Sequence, residues 1–240
     1  MLHKINLEDI LFLDIETVPQ YPDYSCVPAA EQALWEEKTQ NLRKDDEYTA
    51  EEYYNRAGIW AEFGKIVCIS VGYFSFRHEQ RTFRVTSFTG EEDTLLRDFV
   101  RLVEEHFSRP NKLFCAHNGK EFDFPYLSRR MIINGIRIPN KLQLFGKKPW
   151  EVPHLDTLDL WKFGDYKHYT SLTLLAHTLG IPSPKDDING SQVRDVFYEE
   201  NDIHRIATYC EKDTITVAQI LLRLRYEPLL TDDEILIIPR

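Results

Sequence analysis

The 240-residue chain has no apolar run approaching the ~18 residues a membrane span needs, and the stretch from Met1 to Glu8 lacks the apolar core of a signal peptide. These absences argue for the cytoplasm and against a membrane partner. The four cysteines, Cys26, Cys68, Cys115 and Cys210, form no Cys-x-x-Cys pair and fall mostly in apolar patterns, so they read as reduced, buried thiols. There is no internal repeat and no low-complexity tract. Positive charge is also short: 29 Lys and Arg against 39 Asp and Glu leave a formal net charge of −10, the wrong sign for holding phosphates by bulk attraction. The shortage is uneven. Between Lys120 and Lys148, seven bases (Lys120, Arg129, Arg130, Arg137, Lys141, Lys147 and Lys148) meet only Glu121 and Asp123, a segment balance of +5 that leaves −15 elsewhere. That segment is either an ordinary charged helix and loop or a surface that tracks a single strand beside an acidic bulk.

What is present suits one α/β domain spanning residues 1–240. A hydrophobic content of 42% with 12% aromatics fills a sizeable core. Residues 8 to 14, 65 to 74, 80 to 89, 112 to 116 and 152 to 156 read as five strands of a mixed sheet. The run from Glu91 to Phe107 places Leu95, Leu96, Phe99, Val100, Leu102 and Val103 at helical spacing. Further helices are expected over 124–133, 171–179, 192–198 and 202–224. Residues 27–62 are polar and Tyr-rich, with nine acids against four bases; they read as a helical insertion, either a surface excursion or a cover for the site. Residues 231–240 form an acidic, then apolar, tail.

Chemistry concentrates in three short acidic motifs. The apolar run Ile10-Leu11-Phe12-Leu13 reads as a buried strand delivering Asp14 and Glu16 to its C-terminal end, and their spacing of two turns both side chains to one face. Asn118, Phe122 and Asp123 form the second motif. Tyr209 and Asp213, four apart on a helical pattern, stack on one helix face. Taken alone, each has an ordinary reading: a solvated strand end, an Asn118-Gly119 turn with Asp123 capping the next helix, a helix pair with a core tyrosine. Together, four carboxylates from three distant segments exceed what a fold needs. They suit a pair of hard divalent ions, Mg²⁺ or Mn²⁺, which take oxygen ligands and, roughly 3.5 to 4 Å apart, serve phosphodiester hydrolysis.

The segments Phe12 to Thr17, Asn118 to Leu127 and Tyr209 to Asp213 resemble the three motifs of the DEDD, or DnaQ-like, exonuclease superfamily. The third motif resembles the tyrosine-type branch, because Tyr209 stands four before Asp213 while the position five before it is Thr208, not His. A closer resemblance is to stand-alone relatives of the family B DNA polymerase exonuclease domain. It is supported by Glu62 to Gly72 and by Lys185 to Val193, and it covers roughly residues 8 to 225, with no room for a polymerase. It implies a ribonuclease H-like sheet and metal-dependent removal of nucleoside 5′-monophosphates from a nucleic-acid 3′ end, with no obligate protein partner inferable.

In that reading Asp14 bridges two ions, Glu16 and Asp213 hold the ion carrying the attacking water, Asp123 supports the second, and Tyr209 orients the water. Thr17, Asn118 and Phe122 contact the terminal nucleotide. Asp156 and Asp159 are expected to cap a helix or support the site from behind, His117 to be structural, and Lys185 to be a surface lysine or a phosphate contact. Two other classes remain open: a nucleic-acid-binding module that keeps the fold without turnover, and a phosphodiesterase acting on small substrates. The choice between DNA and RNA rests on contacts to the 2′-hydroxyl that no motif reports.

Overall fold

The computed structural model describes residues 2–43, 48–78, 80–165, 167–182 and 188–239; Lys185 and the start of its stretch lie outside them. A six-stranded mixed sheet forms the centre. β1 (Ile10–Pro19), β2 (Gly64–Arg77) and β3 (Gln80–Thr89) run antiparallel in sequence; β4 (Leu113–Ala116) and β5 (Leu155–Asp156) then add in parallel on the other side of β1. The expected five strands are all present. The sixth is unexpected: the tail supplies β6 (Ile235–Ile237), parallel to β3. Arg81 fastens it, giving two hydrogen bonds to the Glu234 carboxylate and one each to the carbonyls of Pro228 and Leu229. The tail thus covers the edge β3 would otherwise leave open.

Alternation along β1 divides the core in two. Leu11, Leu13 and Ile15 face α3 (Glu92–His106) and α4 (Asp123–Ile133), joining Leu95, Phe99, Phe124 and Leu127. The even positions face α8 (Ile203–Leu224). Ile10 and Phe12 pack with Val217, Ala218 and Leu221, while Val18 packs with Ile206 and Cys210. Helix and strand therefore run antiparallel, and Asp14 and Glu16 fall between two apolar contacts. Asp202 starts α8 by accepting from the backbone N–H of Arg205. α5 (Thr157–Lys162), α6 (Leu172–Thr178) and α7 (Val193–Tyr198) complete this side. Among the described residues no helix is long and apolar enough to cross a membrane.

The insertion carries a small core of its own. α1 (Ala29–Thr39) and α2 (Ala50–Tyr53) surround the fully buried Trp35, whose ring meets Tyr53, Tyr54, Trp60 and Phe63 and whose Nε1 donates to the Ala50 carbonyl at 2.8 Å. It is more than a surface excursion, because the short 3-10 helix Tyr54–Ile59 packs on the end of β1. At Gly58 a Cβ would lie only 3.0 Å from the Val18 backbone, tighter than most side chains sit, so glycine eases the close approach.

The expected basic surface is smaller than its composition. Arg130 is 5% exposed and serves as a tie, donating to Glu92, to the Ala61 carbonyl and to Gln20, so that α4, α3, the insertion and the end of β1 share one guanidinium. Lys120 pairs with Asp159, and Lys141 donates to the carbonyls of Pro110 and Lys112. Only Arg129, Arg137, Lys147 and Lys148 of the seven stay exposed. Because Glu92 is largely withdrawn from water beside the buried Arg130, Arg130→Met should leave a poorly compensated charge and lower stability by about 3 kcal/mol in urea denaturation. A loss below about 1 kcal/mol would instead mean that the Ile66 N–H and Asn134 satisfy Glu92 unaided.

Candidate active site

Asp14 and Glu16 leave β1 on the face covered by α8. The chain of β2 bulges opposite them: Glu16 pairs with Cys68 but Thr17 pairs with Ile66, which makes Val67 an extra residue. Val67 and Cys68, though adjacent, consequently both turn toward α7 and α8, and the local twist increases beside the carboxylates. From α8, one turn brings Cys210 against the strand, its Sγ 3.3 Å from Asp14 Oδ2 and 3.4 Å from the Asp14 carbonyl. Asp14, Glu16 and Cys210 present ligand atoms within 4.8 Å of one another. On the same helix Tyr209 stands four residues before Asp213, whose carboxylate acts on its phenol.

Asp123 arrives from the opposite side, as the first residue of α4, and is 3% exposed. It does not cap its helix; the N-cap position is Phe122. The loop before it is tight. Asn118 has φ 61°, and its carbonyl accepts from the N–H groups of Glu121 and Phe122. A Cβ at Gly119 would lie 2.5 Å from the Ala116 Cβ, so only glycine fits. Asp156 organises this loop, accepting from the backbone N–H groups of Asn118, Lys120, Leu158 and Asp159. The expectation that Asp156 caps and supports is met. His117 is structural as expected: its two ring nitrogens meet Thr157 Oγ1 and the Thr170 carbonyl, both at 2.9 Å.

The electrostatics follow from crowding. Burial, then the charges of Glu16, Asp213 and Asp123, hold the Asp14 carboxyl well above the usual range, opposed by the donating Cys210 thiol. Burial and Asp213 do the same to Glu16. Asp123 is pushed up to about 8 by burial and by Asp156, against the pull of the backbone N–H groups of Asp123 and Ile15. Burial and the neighbouring Asp213, Glu16 and Asp14 raise the Tyr209 phenol. Such a set is costly without a cation. Its donors are hard oxygens, and the Cys210 sulfur beside Asp14 stays a protonated thiol because burial raises it too, so the residues present fit Mg²⁺ or Mn²⁺.

The structure also draws Thr17 and Phe122 toward one point. Thr17 acts on the Tyr126 phenol, which donates to the Gly58 carbonyl at 2.8 Å, and the Tyr126 ring packs 5.3 Å from Phe122.

A family model described as "Predicted 3'-5' exonuclease related to the exonuclease domain of PolB" matches residues 59–232. The chain belongs to this family. Among solved structures, the family B DNA polymerase from the hyperthermophilic archaeon Pyrobaculum calidifontis is similar at a TM-score of 0.53 and 18% identity, over 89% of this chain and 24% of the polymerase. That likeness shows the fold, a ribonuclease H-like α/β sheet, and this chain spans about a quarter of the polymerase's length. No curated protein matches.

Sequence reasoning missed Cys210 and Tyr169. Cys210 lay in the third motif, read only as one of four buried thiols; three are buried, whereas Cys26 is exposed, a correction that follows from its place in the short turn Tyr24–Cys26. Tyr169 stands in the loop before α6, where Asp123 and Asp156 raise its phenol after burial does. Only tertiary packing brings it there.

The raised carboxyls give a pH signature. Between the unfolded and folded values the metal-free native state holds the extra proton, so stability is full near pH 4 and falls as pH rises toward about 8, by up to ~1.4 kcal/mol per pH unit for each proton. Thermal unfolding in EDTA should show this decline, and Asp123→Asn should make it shallower by about one proton. An unchanged slope in that variant would refute the shift at Asp123.

Proposed function

We propose that the protein is a tyrosine-type DEDD exonuclease that hydrolyses nucleic acid from the 3′ end, acting on single strands and releasing nucleoside 5′-monophosphates. One observation carries the reading: Asp123 and Asp213, from two helices, lie close enough to Asp14 and Glu16 on β1 for their charges to raise both carboxyls, with Tyr209 beside them. Family membership supports the direction of cleavage. The chain is read as one exonuclease domain, with the insertion and the β6 tail as its additions.

Asp14, Glu16, Asp123 and Asp213 would hold two divalent ions, which when bound lower the pKa of water and neutralise charge on the attacking and leaving oxygens. The protein's own residues do the rest. Tyr209 keeps its proton at neutral pH; giving that proton to a neighbouring carboxylate would leave the phenol oxygen free to accept from, and so orient, the attacking water. Asp156 holds the Asn118–Lys120 loop, and Thr17, Asn118 and Phe122 are assigned to the terminal nucleotide. A binding module without turnover is the weaker reading, since it offers no use for carboxyls held so far from their ordinary range.

A 5′-labelled single strand should shorten stepwise from its 3′ end with Mg²⁺ or Mn²⁺, and EDTA should stop it. Asp14→Ala and Asp213→Asn should each lower turnover about a thousandfold, the loss of several kcal/mol of charge neutralisation. Cleavage from the 5′ end, or full activity in either variant, would overturn the assignment. Metal-dependent stabilisation with no release from any oligonucleotide would favour the binding module.

Tyr209→Phe separates positioning from metal holding. The ring still packs and no carboxylate is lost, so Mn²⁺ affinity should stay near that of the parent while single-turnover cleavage falls roughly 10- to 100-fold. Full activity would make the hydroxyl incidental. A loss of metal affinity matching the rate loss would place Tyr209 among the supports of Asp213.

A further inference from the structure

We propose that the outer face of α4 and the loop after it form a track for the unpaired strand that leads to the active site. The inference rests on the exonuclease reading for its direction and on the surface itself for its chemistry. Pro125, Ser128, Arg129 and Ile132 recur at the spacing of one helical stripe, and this stripe faces away from the sheet, since Phe124, Leu127, Arg130 and Met131 are buried. It forms one wall of a cleft of about 290 Å³ whose other wall is the following loop, including Leu144, Phe145 and Lys147. Lys120 lines the cleft as well. It stands three residues before Asp123, which begins α4, so the cleft starts at the end of the helix that carries a carboxylate of the site.

The loop has the composition a single strand requires. Phe145-Gly146-Lys147-Lys148-Pro149-Trp150 alternates aromatic rings with cations, turning at Gly146 with φ 69°. Phe145 is 72% exposed and Trp150 74%, and Lys148 Nζ lies 5.2 Å from the Trp150 ring centroid. Arg129, Lys147 and Lys148 form no ion pair with a described residue, unlike Lys120 and Arg130, whose charges the fold consumes. On a protein of net charge −10, an unpaired cationic strip flanked by open rings is the place where a polyanion with planar bases is welcome: phosphates meet the lysines and bases stack on the rings. Sequence preference is not implied, because every base offers a π-face.

The test uses the full chain. In EDTA, a fluorescein-labelled single-stranded oligonucleotide should bind the parent and quench its tryptophan emission. Lys147→Gln/Lys148→Gln and Trp150→Ala, all at exposed positions and checked for parental melting, should each weaken binding about tenfold, and Trp150→Ala should remove the quench. The double variant should also flatten the slope of log K against log salt by about 1.4, the share of two phosphate contacts on a single strand. With Mn²⁺, the ratio of kcat/KM on the oligonucleotide to that on a dinucleotide should fall about tenfold in both. Parental affinity and salt slope in the variants would overturn the track, as would an equal loss on the dinucleotide. Binding to anionic phospholipid vesicles but not to the oligonucleotide would overturn it in favour of a membrane surface. A parent that binds through these residues yet cleaves nothing would sink the exonuclease reading and leave the track standing.

Discussion

Everything near the site depends on α8 lying antiparallel across the even-numbered face of β1. At one end Ile10 and Phe12 bury against Val217, Ala218 and Leu221, and at the other Val18 buries against Ile206. Burying each such side chain stabilises the fold by about 1.5–3 kcal/mol. Those contacts fix the register of helix on strand, and the register decides that Asp14 and Glu16 lie opposite Cys210, one turn from Asp213. Carboxylates would not choose this arrangement. In the absence of a cation they respond by holding protons, which is why Asp14, Glu16 and Asp123 are all raised.

The second half of the site is built on a different principle. Asp123 is placed by a loop, and the loop is held by Asp156, whose two oxygens are occupied by four backbone N–H groups. With three N–H groups on Oδ1 and one on Oδ2, Asp156 serves as a scaffold for the backbone on both sides of it. Its position at the end of β5 connects it to the same sheet edge as Asp14 through β4, so the two halves share a rigid base. The Asn118 turn and the glycine that follows let the backbone pass close enough to Ala116 for Asp123 to start its helix beneath Ile15.

Much of this was legible in the sequence because it is periodic. The strand of β1 announced itself by a short continuous apolar run and the helix of α8 by three- and four-residue repeats, and the spacing of Asp14 to Glu16 and of Tyr209 to Asp213 followed from geometry alone. What stayed hidden depends on partners far along the chain. The bulge at Val67 leaves no mark in composition, since two adjacent apolar residues read equally well as a regular strand. The tail became β6 only because β3 had an open edge and Arg81 could reach Glu234. Arg130 and Lys120 counted as surface charge in the sequence, yet each is claimed by an acid brought close by folding.

The crowding that strains the site also sets the role of its tyrosine. A phenol beside three carboxylates, largely out of water, loses any tendency to ionise. As a neutral group it has one proton to give, and the acceptors around it are the carboxylates that raise it, Asp213 on its own helix and Glu16 and Asp14 on the strand. In a basic or exposed setting the phenol would ionise more readily. The same negative field that would favour a cation therefore keeps the phenol neutral, and Tyr209 shares one face of α8 with Asp213.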